Sequence, residues 1–305
     1  MNILITGVLG HIGSSLLNKI SEIKNIKNIY LIDSARSNNL NVLFNLKLND
    51  IKINFIHGDL LDDKILNKIK VPIHIVIHLA SITNAEASFE IKKLIYKNNF
   101  GIFKKIVKFC EIKKSKLIHL SSTSVYGSQS ILVDEDCKIL KPQSPYAEVK
   151  YLEEKYLKKK KIKFITLRLG TITGISQGMR FHTAVNKFCF KTILGEKIPV
   201  WNNAIDQYRP YLSLRDAIKS IIFIIQKGIF DQKIYNVLTG NYTVRQILAF
   251  IKKNNYKVQI KMTKSPILNQ NSYKVSNKKF SKFKVKMSKN IKKDIKDTLS
   301  ILKNI

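Results

Sequence analysis

The sequence predicts an α/β fold, a doubly wound parallel sheet carrying a smaller C-terminal α/β lobe. Three observations predict it. Short apolar, β-branched runs alternate with Lys- and Leu-rich stretches of helical spacing through the first two-thirds of the chain, a rhythm that calls for parallel strands with crossover helices on both faces. A glycine-rich turn joins the first run to the first helical stretch, where phosphate-binding α/β folds carry it. A length of 305 residues with 45% hydrophobic content is enough to bury a full core, in one large domain or two intimately joined ones. The predicted strands are 2–6, 29–33, 54–57, 73–78, 116–121 and 164–168. After Gly174 the rhythm loosens, a return strand is expected near 234–237, and the last 65 residues read as a mixed lobe. Residues 1–174 then form the sheet domain, with a return segment near 204–240, while 175–203 and 241–305 form the second lobe.

The first run enters Thr6-Gly7-Val8-Leu9-Gly10-His11-Ile12-Gly13. Glycines at this spacing allow a tight turn, close approach of a pyrophosphate to the backbone, and close packing of the next helix, whose first amides face the anion. The second run closes on Asp33, twenty residues past Gly13. A carboxylate there accepts bonds from the adenosine ribose hydroxyls and repels a 2′-phosphate, so NAD is favoured over NADP. Arg36 nearby keeps that preference moderate. The sheet domain is thereby predicted to be of Rossmann type.

The Gly7/Gly10/Gly13 spacing resembles that of the extended short-chain dehydrogenase/reductases, the NAD-dependent epimerase/dehydratase family, rather than their compact relatives. The resemblance continues at His57-Gly58-Asp59-Leu60, His78-Leu79-Ala80 and Asn98-Asn99-Phe100-Gly101, and covers nearly the whole chain. It implies that Gly7, Gly10, His11, Ile12 and Gly13 cradle the cofactor, with Asp59 near the adenine and Leu60 beside it. It also implies that Leu79 and Ala80 lie along the cofactor, and that Asn98 supports the active-site helix.

The chemistry of that family removes a hydroxyl proton while hydride leaves the same carbon. Tyrosine, with an ordinary pKa of about 10, is a poor base near neutral pH unless its phenolate is stabilised. A lysine one helical turn later supplies that stabilisation, together with the positively charged nicotinamide. Tyr-x-x-x-Lys occurs three times, at Tyr146/Lys150, Tyr151/Lys155 and Tyr156/Lys160. Position decides among them. Tyr146 follows Pro145 at a helix start, 24 residues after Ser122, as the resemblance requires. Tyr151 is about 140° further round the helix, and Tyr156 is assigned to a solvated, Lys-rich stretch. Tyr146 is the expected base and Lys150 its partner. Aligned on Val125-Tyr126-Gly127, Ser122 takes the place of the family's catalytic hydroxyl. The next two positions, acidic in enzymes resembling dTDP-glucose 4,6-dehydratase, are Thr123 and Ser124 here. Enzymes resembling GDP-fucose synthase have a Cys at the position of Ser124. Neither extra proton-transfer group is present. What remains is hydride transfer at one carbon, which suits a 4-epimerase resembling UDP-galactose 4-epimerase, or a simple dehydrogenase or reductase.

The segment Arg209-Pro210-Tyr211-Leu212-Ser213-Leu214-Arg215-Asp216 resembles one whose first Arg pairs with the substrate diphosphate, a task that suits a planar, permanently charged fork. Two departures stand beside it: Thr171 replaces the family's diphosphate-contacting Asn, and Asn271-Ser272-Tyr273 lacks a second Arg. The insert from Gly174 to His182 resembles a subgroup of sugar-nucleotide epimerase/dehydratase-like proteins from surface-polysaccharide clusters. Its Arg180 or His182 is expected to supply the lost contacts, or His182 to protonate a sugar atom. With Ser122, Thr123, Tyr146, Thr171 and Arg209 these complete the expected substrate-binding set. Trp201 and Phe181 are assigned to the core.

No basic leader precedes the first apolar run and no apolar stretch reaches the ~18 residues that span a bilayer, so a cytoplasmic chain without membrane insertion is expected. Cys110, Cys137 and Cys189 are scattered, without metal spacing, and read as reduced thiols. The net charge of +33 is mostly Lys, spread along the chain and densest after residue 250, where sixteen lysines face only Asp294 and Asp297. It reads as solvated helix faces rather than as a nucleic-acid surface. The resemblance implies a homodimer built on segments near 87–110 and 146–160. The expectation is an NAD-dependent epimerase or dehydrogenase of a nucleotide-linked sugar. Three alternatives stay open: a reductase or dehydrogenase of a small non-nucleotide alcohol or ketone, a non-catalytic cofactor-sensing protein, and a polyanion binder built on the Lys-rich tail.

Overall fold

The computed structural model describes residues 1–44, 46, 51–85, 87–129, 132–264 and 272–304. The chain runs through β1 (Asn2–Thr6), α1 (His11–Leu17), β2 (Asn28–Asp33), β3 (Lys52–His57), α2 (Asp63–Asn67), β4 (Ile75–His78) and α3 (Lys92–Ile95). A π-helical turn at Tyr96–Phe100 leads into α4 (Gly101–Lys113), followed by β5 (Lys116–Ser122), β6 (Leu132–Val133), α5 (Pro145–Lys158), β7 (Phe164–Leu169) and β8 (Thr171–Thr173). Next come α6 (Ala184–Ile193), β9 (Ile198–Trp201), β10 (Arg209–Ser213), α7 (Leu214–Lys227), β11 (Ile234–Val237) and β12 (Gly240–Tyr242). The last elements are α8 (Val244–Lys252), β13 (Ile260–Thr263), β14 (Lys274–Val275), α9 (Lys278–Ser281) and α10 (Lys292–Lys303).

Seven strands form one parallel sheet in the order β11-β7-β5-β4-β1-β2-β3. Its strands are apolar at successive positions because helices cover both faces, and alternate side chains point to opposite sides. Ile3, Ile5, Leu31, Ile77 and Ile118 pack with Leu16 and Leu17 of α1 and with Ile218, Ile221 and Ile225 of α7. Leu4, Ile32, Val76, Leu117 and Phe164 face Ile102, Phe103 and Ile106 of α4 and Leu157 of α5. Each such side chain, fully buried, stabilises the fold by about 1.5–3 kcal/mol. Six strands and the return strand fall where the sequence predicts them, with ends moved by one or two residues. The largest shifts, two residues each, are at β3, which begins at Lys52 instead of 54, and at β4, where the expected strand begins at 73 and the ladder begins at Ile75.

A separate core joins Val185 and Phe188 of α6, Val200 of β9, Leu248 and Ile251 of α8, and Ile295 and Leu299 of α10. Between it and the sheet lies a three-stranded layer in which β10 runs parallel to β8 and antiparallel to β12. Phe280, Phe283, Val285 and Met287 pack against the core of the large sheet, with the Phe283 ring 5.1 Å from that of Tyr235 in β11. Among the described residues no helix is long and apolar enough to cross a membrane, and no cluster of His, Cys, Asp or Glu could hold a metal ion.

Candidate active site

The carboxyl ends of β1, β4, β5 and β7 open into one cleft of about 860 Å³, closed on its far side by β9, β10 and the segment after Gly174. At the end of β1 the chain turns at Gly7, whose φ is +71°, and a Cβ there would stand 2.5 Å from the Ala80 amide nitrogen. A Cβ on Gly13 would lie 2.5 Å from the Val8 carbonyl oxygen. The turn and α1 are thus packed so tightly on their neighbours that only hydrogen fits. At the end of β2 the Asp33 carboxylate accepts from the amides of Leu9 at 3.0 Å and Ala35 at 2.9 Å. The Arg36 guanidinium donates to Asp59 at 2.6 Å and to Asn98 at 3.4 Å. Asn98 in turn donates to Asn99, and it is Asn99 that bonds both backbone groups of Ile82. Leu60 is buried. Leu79 lies in the cleft wall, and the amides of Leu79 and Ala80 both donate to the Thr6 hydroxyl at 3.3 Å.

His11 opens α1 directly after this turn. Burial first, then the charges of Arg180 and His182, lower its pKa to about 4, so the ring is neutral. Its Nδ1 accepts from the Arg180 amide at 3.4 Å, which puts the proton on Nε2. The buried Nε2 faces the Gly174 backbone, whose hydrogen bond pulls the pKa up against those causes. The glycine cradle, which a Cβ would fill, and the Asp33 carboxylate fit NAD.

Opposite the turn, β5 ends in Ser122, whose hydroxyl accepts from the Ser124 amide at 3.2 Å and the Ser124 hydroxyl at 2.9 Å. Helix α5 starts where the Ser144 hydroxyl accepts from the Ala147 amide at 3.2 Å, with Pro145 in its first turn, both strong start signals. Tyr146 therefore sits in the first turn and Lys150 one turn later, its Nζ 5.9 Å from the Tyr146 ring centre. Ser122 and the Tyr146 hydroxyl are hydrogen-bonded. Burial raises the Tyr146 pKa against the lowering pull of Lys150. Burial works to lower that of Lys150, but the Glu153 carboxylate raises it further, so the ammonium stays charged.

Glu154 fixes the helix against the sheet. Its carboxylate receives two bonds from Arg168 of β7, at 2.8 and 2.6 Å, and one from Ser121 of β5 at 2.6 Å. The other two Tyr-x-x-x-Lys pairs point elsewhere. Tyr151 packs with Val125 and Leu238 under its own Lys155, 4.2 Å from the ring centre. Tyr156, expected on a solvated stretch, is instead half-buried edge-on to Phe100 at 5.8 Å, because that flank of α5 lies over α4.

At the far end of the cleft Thr123 donates to the Leu169 carbonyl at 3.2 Å and is hydrogen-bonded to Tyr273. The Arg209 guanidinium lies 5.1 Å from the Tyr273 ring and donates to the Tyr208 carbonyl and the Gln207 side chain. Asn271 lies outside the described residues, but Tyr273 occupies the wall where the sequence lacked an Arg. Thr171, on β8, also lines the cleft. The segment after Gly174 straps over the glycine turn: the Gly178 amide donates to Ser14 at 3.1 Å, and a Cβ on Gly178 would lie 2.5 Å from the Gly10 carbonyl. From this strap Arg180 reaches back to donate to Thr83 at 2.5 Å, and His182 stands exposed at the rim. Two residues assigned to the core are not there: Phe181 is 40% exposed beside Phe190, and Trp201 is a half-buried part of the cleft wall.

Residues 3–237 match the family described as the NAD dependent epimerase/dehydratase family. The chain belongs to that family. Among curated relatives, the dTDP-D-glucose 4,6-dehydratase of Dictyostelium discoideum is 30% identical over 256 residues, covering 78% of this chain and 58% of that relative. The chain thus spans less than two-thirds of that protein's length. A putative UDP-glucose 4-epimerase of Methanocaldococcus jannaschii is 24% identical over 260 residues, covering 82% of this chain and 81% of the relative. The same fold occurs in the UDP-glucuronic acid 4-epimerase of Bacillus cereus, solved with UDP-glucuronic acid and NAD. It is 23% identical at a TM-score of 0.87, covering 100% of this chain and 99% of that one.

Gly7, Gly10, Gly13, Ser122, Tyr146 and Lys150 of this epimerase/dehydratase-family chain line one cleft. Sequence reasoning missed Tyr273, Thr83 and the pair Glu153 and His119. For Glu153 a signal existed: two adjacent acids on the active-site helix of a chain with only 21 acidic residues.

Proposed function

We infer that the chain is an NAD-dependent epimerase or dehydrogenase of a nucleotide-linked sugar, transferring hydride at one sugar carbon. The observation that carries the reading is the convergence of Ser122, Tyr146 and Lys150 on a cleft floored by the glycine turn. Gly7, Gly10, His11, Ile12, Gly13, Asp33, Asp59, Leu60, Leu79, Ala80, Asn98 and Lys150 would hold NAD, which supplies the hydride acceptor and donor. Ser122 bonds the reacting oxygen, Tyr146 takes its proton, and Lys150 offsets the phenolate charge. Thr123 and Ser124 offer no carboxylate or thiol for elimination or for proton exchange beside a ketone, although the Dictyostelium discoideum relative is named a dehydratase.

Arg209, Arg180 and Thr171 supply the diphosphate contacts, with His182 at the sugar end. Residues 1–174 with the return segment 204–240 hold the cofactor, and 175–203 with 241–305 the substrate. The enzyme works in the cytoplasm as a homodimer in the building of surface polysaccharide. Support for the dimer comes from Phe89 and Leu94, apolar and 46% and 43% exposed beside the proposed faces.

The test is the nucleotide released on denaturing the purified protein, identified by mass and absorbance, followed by a panel of UDP-, GDP- and dTDP-sugars. Stoichiometric NAD or NADH with epimerisation of one sugar is the expected result. An empty site with turnover only when NAD is added would select the dehydrogenase branch. No NAD binding by calorimetry and no turnover on the panel would sink both.

A further inference from the structure

Glu153 lies one helical turn beyond Lys150 and is 1% exposed. Its Oε2 receives the Lys150 ammonium at 2.9 Å and His119 Nε2 at 3.0 Å. His119, on β5, is fully buried, bonded through Nδ1 to Thr166 of β7 at 3.1 Å, and covered by the Phe103 ring of α4 at 4.7 Å. A chain of contacts from β7 through β5 therefore ends on the ammonium below Tyr146.

Nothing in the reaction inferred above asks for a carboxylate there. Docking of α5 is already provided by Glu154 and Arg168. A buried carboxylate is costly unless paired, and this one is paired with the group whose charge the phenolate needs. A cation and an anion 2.9 Å apart present a small net charge to a third group beyond them.

We propose that Glu153, steadied by His119, is a positioning residue that partly masks the Lys150 charge, so that Tyr146 stays protonated until a further cation, the oxidised nicotinamide, joins Lys150 and Arg180 in the cleft. This rests on the reading of Tyr146 as the base. A reduced, neutral nicotinamide would leave the phenol protonated and ready to return its proton to a ketone, while the oxidised one favours the phenolate that accepts it. The groups facing Tyr146 are Lys150 and Glu153 on its own helix, Arg180 from the strap and the Ser122 hydroxyl from β5. Those facing Lys150 are Tyr146, Glu153 and Glu154, with His78 from β4 and His119 from β5 behind. His78 is neutral, its pKa lowered to about 3 by burial and then by Lys150, and Arg180, bonded to Thr83, keeps its charge and its lowering pull on Tyr146 in every variant compared. The Lys150–Glu153 pair is thus the adjustable part.

The experiment is a pH titration, by carbon NMR of ring-labelled tyrosine, of the protein stripped of nucleotide, with Tyr146→Phe assigning the resonance. In the unsubstituted protein Tyr146 should titrate at or above the ordinary value of about 10. Glu153→Gln should lower it by about one pH unit, the size of a partly shielded charge term. Glu153→Asp keeps the charge and should leave it within a few tenths of a unit. The proposal fails if Tyr146 of the unsubstituted, stripped protein titrates well below 10, if Glu153→Gln leaves it unmoved, or if Glu153→Asp shifts it as far. Should Glu153→Gln not fold, Glu153→Ala takes its place, with the same lowering expected and an unmoved Tyr146 overturning the proposal. Because no substrate enters this measurement, a chain inactive on every sugar nucleotide would sink the functional reading and leave the titration standing.

Discussion

Tyr146 is one of three tyrosines with a lysine four residues on, and its neighbours set it apart. Ser122 holds its hydroxyl, whereas Tyr151 and Tyr156 are packed against apolar side chains. Tyr146→Phe should lower kcat by about 10²- to 10⁴-fold, the range of a lost general base, with NAD retention unchanged. Stopped-flow reduction of bound cofactor by the sugar nucleotide would read it. A Tyr151→Phe chain serves as the control, and an equal loss there would move the base. Ser122, Tyr146 and Lys150 were legible in the sequence through the family resemblance, which the strand end, Pro145 and helical spacing supported as local signals. The Glu153–His119 contact was not, since it depends on how α5 lies across β5, a matter of tertiary register that no spacing encodes.

At the scale of elements, α5 and the strap set the two walls of the cleft. Glu154 ties α5 to β5 and β7, and Arg168 is 3% exposed beneath it. Glu154→Ala would leave that guanidinium buried and unpaired, and a loss of about 3–5 kcal/mol follows for a broken buried pair. Urea unfolding measures it, and a loss under 1 kcal/mol would mean that water replaces the carboxylate. On the other wall, Gly178→Ala would push its Cβ onto the Gly10 carbonyl, 2.5 Å away. The strap must lift, and NADH should dissociate faster, read by nucleotide fluorescence, at a stability cost of about 1–3 kcal/mol. The strands that build this frame were legible from apolar runs alone. The strap was visible only as an insert, because its seat on Gly10 and Ser14 is a contact across roughly 164 positions of sequence.

For the whole molecule, pH acts through histidines that folding keeps neutral. Burial, followed by the positive charge of Lys150, lowers the pKa of His78 to about 3, and burial with Arg180 and His182 lowers that of His11 to about 4. In the unfolded chain both return to about 6.5. Between about pH 6.5 and pH 4 the unfolded chain therefore binds more protons than the folded one, and stability falls as pH falls. Each histidine contributes up to about 1.4 kcal/mol per pH unit across that window. Both depressed values act in the same direction, unlike Asp294, which burial raises despite its bonds to Ser213 and Arg215 and which is stabilising as the medium acidifies. The expected outcome is a urea midpoint that drops steadily from about pH 6.5 to pH 4 in the nucleotide-free protein, with a shallower slope in His78→Asn, where the Thr6 hydroxyl, now 2.8 Å from the ring nitrogen, keeps a polar partner. An unchanged slope in that variant would assign the acid sensitivity to the repulsion of 54 basic side chains. Salt separates the two causes: self-repulsion is screened between about 0.1 and 1 M, whereas the cost of charging a buried imidazole is not.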